Sequence, residues 1–120
     1  MYQDVPNTGT GVGFGKQNTQ IIVNRLRDLR ETNRAAQISA GMDINGFKDW
    51  FLPSKDELNL MYVNLKQKGL GGFGNGVYCS SSQFERYSVW IQRFSDGLQG
   101  NSGSITFKNN TFSVRAVRAF

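Results

Sequence analysis

The residue best suited to covalent chemistry is Cys79, the single cysteine in a chain that has no histidine. A reactive thiol needs a basic neighbour or a similar device to become a thiolate. The flanking "VYCSS" supplies none, and the pattern reads as a structural thiol inside an apolar strand. Without histidine, triads with an imidazole base and His-ligated zinc sites cannot be built within this chain. One cysteine also excludes an internal disulfide. Asp56 and Glu57 are adjacent acids, but they fall in the first turn of a predicted helix, where they favour its dipole. Asp49 precedes Trp50 and is expected to set a turn. Asp43, Asp49 and Asp96 could meet around calcium, although no EF-hand spacing links them. The expectation is a non-enzymatic chain with no catalytic residues, no cofactor and no metal.

"GTGVGFGK" invites a nucleotide-binding reading that its spacing refuses. A phosphate-binding P-loop needs glycine five residues before the Gly15–Lys16 pair, where Thr10 stands, and Ser or Thr after the lysine, where Gln17 stands. A dinucleotide fingerprint begun at Gly9 meets Phe14 in place of its last glycine, and one begun at Gly11 meets Lys16.

A third pattern lies in "QFERYSVWIQRFSDGLQGNSGSITFKNN", from Gln83 to Asn110. Bulky aromatics and arginines are interleaved with Ser, Gly and Asn. Tyr, Arg and Phe dominate protein interfaces, and Ser, Gly and Asn serve there as adaptable filler. In "VWIQRF", Trp90, Gln92 and Phe94 share one strand face, and Ile91 and Arg93 the other. If Trp90 and Phe94 anchor the core, Ile91 and Arg93 point outward. Phe84, Arg86, Tyr87, Ile91, Arg93, Leu98, Asn101 and Phe107 are then the expected binding residues. The competing reading makes Tyr87, Ile91 and Phe107 ordinary core.

The elements that would carry these residues run helices first, strands second. "NTQIIVNRLRDLRE" predicts a helix with Ile22, Leu26 and Leu29 on one face and Asn18 or Thr19 as its N-cap. "TNRAAQISAGM" predicts a shorter one, capped by Thr32 or Asn33 and ending at Gly41. The clearest signal is "LPSKDELNLMYVNLKQKG". Ser54 and Glu57 form a capping box, Leu58, Met61, Tyr62 and Leu65 make an apolar face, and Gly69 ends the helix. Trp50, just ahead of it, is expected in the core. After the flexible "GLGGFGNG", the segments "VYCSS", "SVWIQRF", "SITFK" and "FSVRAVRAF" read as strands. The layout is α+β: two or three N-terminal helices packed on a small, mostly antiparallel sheet with long loops.

A length of 120 residues fits a single domain over 1–120. The net charge of +5 could suit nucleic acid, but no Lys/Arg run is present, and no nucleic-acid partner is expected. No apolar run reaches membrane-spanning length and no signal pattern opens the sequence, so neither membrane insertion nor a signal peptide is expected.

"NGFKDWFLPSKDELNLMY" resembles the Gly-aromatic-x-Asp-Trp-x-Leu-Pro-Ser-x-x-Glu-Leu core of the Lcl C-terminal-like domain family, named for a bacterial collagen-like adhesin. "GTGVGFGKQNT", "NRAAQISAGMDINGF", "VYCSSSQ", "VWIQRFSDG" and "VRAVRAF" extend the likeness over nearly the whole chain, with Cys79 where the family carries Trp. The resemblance implies a C-type-lectin-like fold of the formylglycine-generating-enzyme type. The enzyme branch of that fold works through cysteines and metal. The lectin branch binds calcium through Glu-Pro-Asn and Trp-Asn-Asp motifs, which this sequence lacks. The C-terminal part is also similar to the variable regions of proteins diversified by retroelements. These elements randomise Asn codons to every residue type except Lys, Gln, Glu, Met and Trp. Trp90, Gln92, Gln99 and Lys108 are of types such mutation cannot reach, and Ile91, Arg93, Leu98 and Gly100 stand where that scaffold would have Asn. The likeness implies a hypervariable binding domain with its variable face at about 83–112. The expected partner is a protein or glycan receptor on a cell surface, met from a virion tail or as a displayed adhesin. An undiversified adhesin binding glycan or matrix polymer is the alternative, and an enzyme of the formylglycine-generating type a more distant one.

Overall fold

The computed structural model describes residues 7–32, 34–85, 88–103 and 112–118. Along the chain come α1 (Gly15–Asp28), α2 (Ala35–Ala40), α3 (Lys55–Asn64) and a 3-10 turn (Lys66–Lys68). Four strands follow: β1 (Val77–Glu85), β2 (Ser88–Arg93), β3 (Gln99–Asn101) and β4 (Phe112–Ser113). The architecture is α+β, with the sheet in the order β3-β2-β1-β4. The β1–β2 and β2–β3 pairs are antiparallel and the β1–β4 pair is parallel, which makes the sheet mixed. The expected strand "SITFK" lies outside the described residues.

α3 starts where its capping box requires. The Ser54 N–H donates to Glu57 Oε1 (2.9 Å) and the Glu57 N–H donates to Ser54 Oγ (3.3 Å). Gly69, in the left-handed region at φ 71°, stops the chain after the 3-10 turn.

The glycine-rich opening is fastened to this helix start. Ser54 Oγ donates to the Gly11 carbonyl (2.8 Å), and the Gly13 N–H donates to Glu57 Oε2 (3.1 Å). The Asp56 N–H reaches the Thr10 carbonyl at 3.0 Å. Ser82 of β1 donates to the Gly9 carbonyl at 2.7 Å. At Gly15 a β-carbon would land on the Glu57 carboxylate and crowd the Leu52 carbonyl, so close approach requires glycine there. The loop is a structural tie between α1, α3 and β1.

That tie explains a difference in α1. The helix begins at Gly15, ahead of the predicted caps, and Asn18 and Thr19 are fully buried inside it. Asn18 exchanges two hydrogen bonds with the Gly9 backbone (2.8 and 2.7 Å). The Thr19 hydroxyl donates to the Gly15 carbonyl (2.7 Å) and accepts from the Leu52 N–H (3.0 Å). Both residues fasten neighbouring segments and cap nothing. In α2 the N-cap is Arg34, so Thr32 does not hold that position; Asn33 lies outside the described residues.

The sheet is packed on both faces. Tyr78 and Phe94 join Leu58 and Met61 of α3 in one cluster, with Tyr62, Leu65, Phe73 and Val117 around it. Val77, Cys79 and Ile91 form a second cluster against Ala35, Val89, Phe112 and Val114. Successive strand residues point to opposite faces, so Tyr78 lies on one side and Val77 and Cys79 on the other. Burying a side chain such as Phe94, 1% exposed, stabilises the fold by roughly 1.5–3 kcal/mol.

Candidate binding face

β2 is the element on which the face is built, because β1 and β3 pair with its two edges. Its α3-side residues follow the helix turn by turn. Phe94 meets Tyr62 edge-on with ring centres 5.4 Å apart, Gln92 Nε2 donates to Asn59 Oδ1 at 2.9 Å, and Lys55 Nζ stands 4.7 Å from the Trp90 ring. The helix positions 55, 59 and 62 share one face, as strand positions 90, 92 and 94 do. Phe94 and Gln92 are buried, whereas Trp90, opposite the first turn of α3, is only half-buried.

Exposed groups gather around that open end. Phe84, 41% exposed, meets Trp90 edge-on at 4.7 Å between ring centres. Asn101 of β3 is the register partner of Trp90. Its Oδ1 accepts from the Gly103 N–H at 3.0 Å. Phe84, Trp90 and Asn101 of the sheet, with Lys55 of α3, therefore bring aromatic, cationic and amide groups together.

A second group sits at the turn between β2 and β3. Arg93 grips Asp96 with two hydrogen bonds, of 3.0 and 2.6 Å. The Arg93 guanidinium, followed by the Leu98 N–H, pulls the Asp96 carboxyl down to about 2. Leu98 is 43% exposed beside it. Gly97 holds the turn at φ 82° against the Tyr62 ring, where a β-carbon would collide.

Of the expected binding residues, Phe84 and Asn101 lie at the Trp90 end of β2, whereas Arg93 and Leu98 lie at its other end by the β2–β3 turn, with Arg93 on the opposite strand face from Trp90. Arg86, Tyr87 and Phe107 fall outside the described residues. Ile91 is corrected: it is 1% exposed and belongs to the second core cluster, opposite Cys79 on β1. The alternation along β2 is as expected, but the far face of the sheet is covered, so pointing away from α3 does not mean pointing to solvent. Trp90, assigned to the core from sequence, instead contributes to the patch. Trp50 is also corrected. It is half-buried, with its indole N–H donated to the Phe47 carbonyl at 2.9 Å.

The groups considered for chemistry are occupied elsewhere. Burial pushes the Cys79 thiol up to about 12, and its Sγ contacts the Ser113 carbonyl at 3.5 Å. Each aspartate of the imagined calcium set has its own cation: Asp43 with Lys48 (3.9 Å), Asp49 with Arg118 and Asp96 with Arg93. Among the described residues no three His, Cys, Asp or Glu side chains cluster as metal ligands would. No helix among the described residues is long and apolar enough to cross a membrane.

Sequence reasoning passed over one further feature. A groove of about 760 Å³ is lined by Ile44, Phe47, Trp50, Met61, Phe73 and Arg115, among others. Its residues come from distant parts of the chain, so no local pattern announced it.

No protein-family model, curated protein or solved structure matches the chain.

Proposed function

We propose that this chain is a non-enzymatic binding domain whose contact face is the β1–β2–β3 end of the sheet. The observation that carries this reading is the division of labour along β2. Ile91, Gln92 and Phe94 are locked inside, while Trp90 supports exposed Phe84 and stands beside Asn101 on the neighbouring strand. An exposed phenylalanine with a tryptophan, a lysine and an asparagine partly buried beside it has the composition from which binding hot spots are built. Arg86, Tyr87 and Phe107, expected from the same stretch of sequence to join in binding, lie outside the described residues. Arg93 and Leu98 form a separate group at the far end of β2, beside the β2–β3 turn.

The motif resemblance supports a more specific version. In it the domain has the C-type-lectin-like fold and is diversified by a retroelement. It binds a protein or glycan receptor on a cell surface, from a phage tail tip or a displayed adhesin. The burial of Cys79, with its thiol held neutral, weighs against the formylglycine-generating type of oxidation. Sequencing the DNA around the coding region tests the diversification. A near-identical second copy of the segment encoding Gln83–Asn110, differing at adenines and next to a reverse transcriptase gene, is the expected result. A locus with neither leaves the domain an undiversified adhesin.

A further inference from the structure

The groove found beside the C-terminal segment has the chemistry of a second site. Much of its lining is apolar: Met61 and Leu65 at the C-terminal end of α3, Phe73, and Ala116 and Val117. Phe47 and Ile44 at its lining are 48% and 46% exposed. Two arginines also line it, and they differ. Arg118 stacks 3.8 Å from the Phe47 ring centre and binds Asp49 with both Nε and Nη2 (2.5 and 3.2 Å). Its charge is balanced there, and the same pairing holds the Asp49 carboxyl below its ordinary range. Arg115 stacks 4.5 Å from the Phe73 ring centre and donates Nη2 to the Gly71 carbonyl at 2.6 Å. No carboxylate among the described residues pairs with it. A guanidinium has five N–H donors in a fixed fork suited to a carboxylate.

The groove therefore combines apolar surface with one cation unmatched by any described carboxylate and held in place by a ring and a carbonyl. Its volume falls in the range of small-molecule sites, roughly 300–1,000 Å³. We propose that it binds a small carboxylate with a flat apolar body, the carboxylate pairing with Arg115 and the body lying against Met61, Leu65 and Trp50. The site is separate from the sheet-end face. Lys55 and Leu65 are at opposite ends of α3, about 15 Å apart along a helix of this length.

The two tryptophans provide the test, since Trp50 lines the groove and Trp90 belongs to the other face. Wild-type protein is titrated with 4-phenylbutyrate and, separately, with the uncharged 4-phenylbutyramide, while both indole N–H signals are followed by NMR. The proposal expects the Trp50 signal to move saturably with the carboxylate and the Trp90 signal to stay in place. The amide should bind about two- to fivefold more weakly, the span expected for losing an ion pair at a solvent-exposed guanidinium. Arg115→Gln should bring the carboxylate down to the affinity of the amide. The comparison of the two ligands needs no substitution, so it stands even if that variant folds poorly. Equal binding of carboxylate and amide, movement of Trp90 alone, or no saturable shift up to about 20 mM would overturn the proposal. So would tighter binding of N-acetyl-Asp-Phe-amide than of phenylbutyrate, which would make the occupant a protein segment.

Discussion

Two aromatic–cation clusters lie toward the two ends of α3 and are made from the same ingredients. One joins Lys55, Trp90 and Phe84; the other joins Arg118, Phe47 and Trp50. They differ in how they are held. Trp90 stands on a strand paired along both edges. Trp50 lies in an irregular segment joined to the C-terminal stretch by the Phe51–Val117 bridge and the Asp49–Arg118 ion pair. A strand hydrogen-bonded on both edges keeps its backbone in place when side chains change, even though the β1–β2 register shifts twice between Cys79 and Glu85. An irregular segment depends on the side chains themselves. The first arrangement tolerates changed side-chain contacts, and the second depends on the side chains that hold it.

The largest effects should come from the layers beneath the first cluster. Phe94→Ala should cost about 3–5 kcal/mol and Ile91→Ala about 2–5 kcal/mol, read from urea unfolding. If Ile91→Ala were as stable as wild type, the second core layer would be misplaced and the comparison would lose its foundation.

Trp50→Ala should cost less than Phe94→Ala, about 1.5–3 kcal/mol, because Trp50 is only partly buried. A cost equal to that of Phe94→Ala would make the irregular segment as much a part of the core as the sheet.

Ser54→Ala removes an N-cap and the hydroxyl's bond to Gly11. Its cost should be about 1–2 kcal/mol, measured in the same way. Amide exchange should quicken around Gly11 in this variant, since Ser54 Oγ holds the Gly11 carbonyl, although the Gly13–Glu57 and Thr10–Asp56 hydrogen bonds remain. Unchanged exchange there would detach the glycine-rich loop from the scaffold role given to it.

The smallest effect concerns the β2–β3 turn. Asp96 has its carboxyl lowered from 3.8 to about 2, chiefly by Arg93. A depressed carboxylate contributes stability that is complete above its unfolded value and disappears as pH falls through its folded value. Wild type and Asp96→Asn should therefore differ in melting temperature above pH 3.8 and converge as the pH approaches 2. Curves that stay parallel across that window would mean that the turn does not depend on the pair.

Much of this fold was legible in the sequence where the signal is local. The Ser54–Glu57 box, the Gly69 stop and the β1 and β2 strands depend on neighbours a few residues away, and all appear. Asn18 and Thr19 have the right types for caps, yet a glycine-rich loop docks over them and turns them into buried ties. Ile91 could not be placed from alternation alone, because period two tells two faces apart without saying which is covered. β3, with the sequence Gln-Gly-Asn, has none of the β-branched or aromatic residues that mark strands and exists through pairing with β2. The groove was invisible because Trp50, Phe73 and Arg115 meet only after folding.

The central claim is that the residues of the sheet-end face serve contact and the residues beneath them serve folding. The direct measurement is a displayed library randomised together at Lys55, Phe84, Trp90 and Asn101. It is scored for protease resistance and then panned against one purified soluble protein. A matched library randomised at Leu58, Ile91 and Phe94 serves as the comparison. Most members of the first library should stay folded, since surface substitutions usually shift stability by about 0.5 kcal/mol or less, and specific binders should emerge from it. Most members of the second should be digested. If the first library is digested as readily as the second, the face is part of the folding core and the account is wrong.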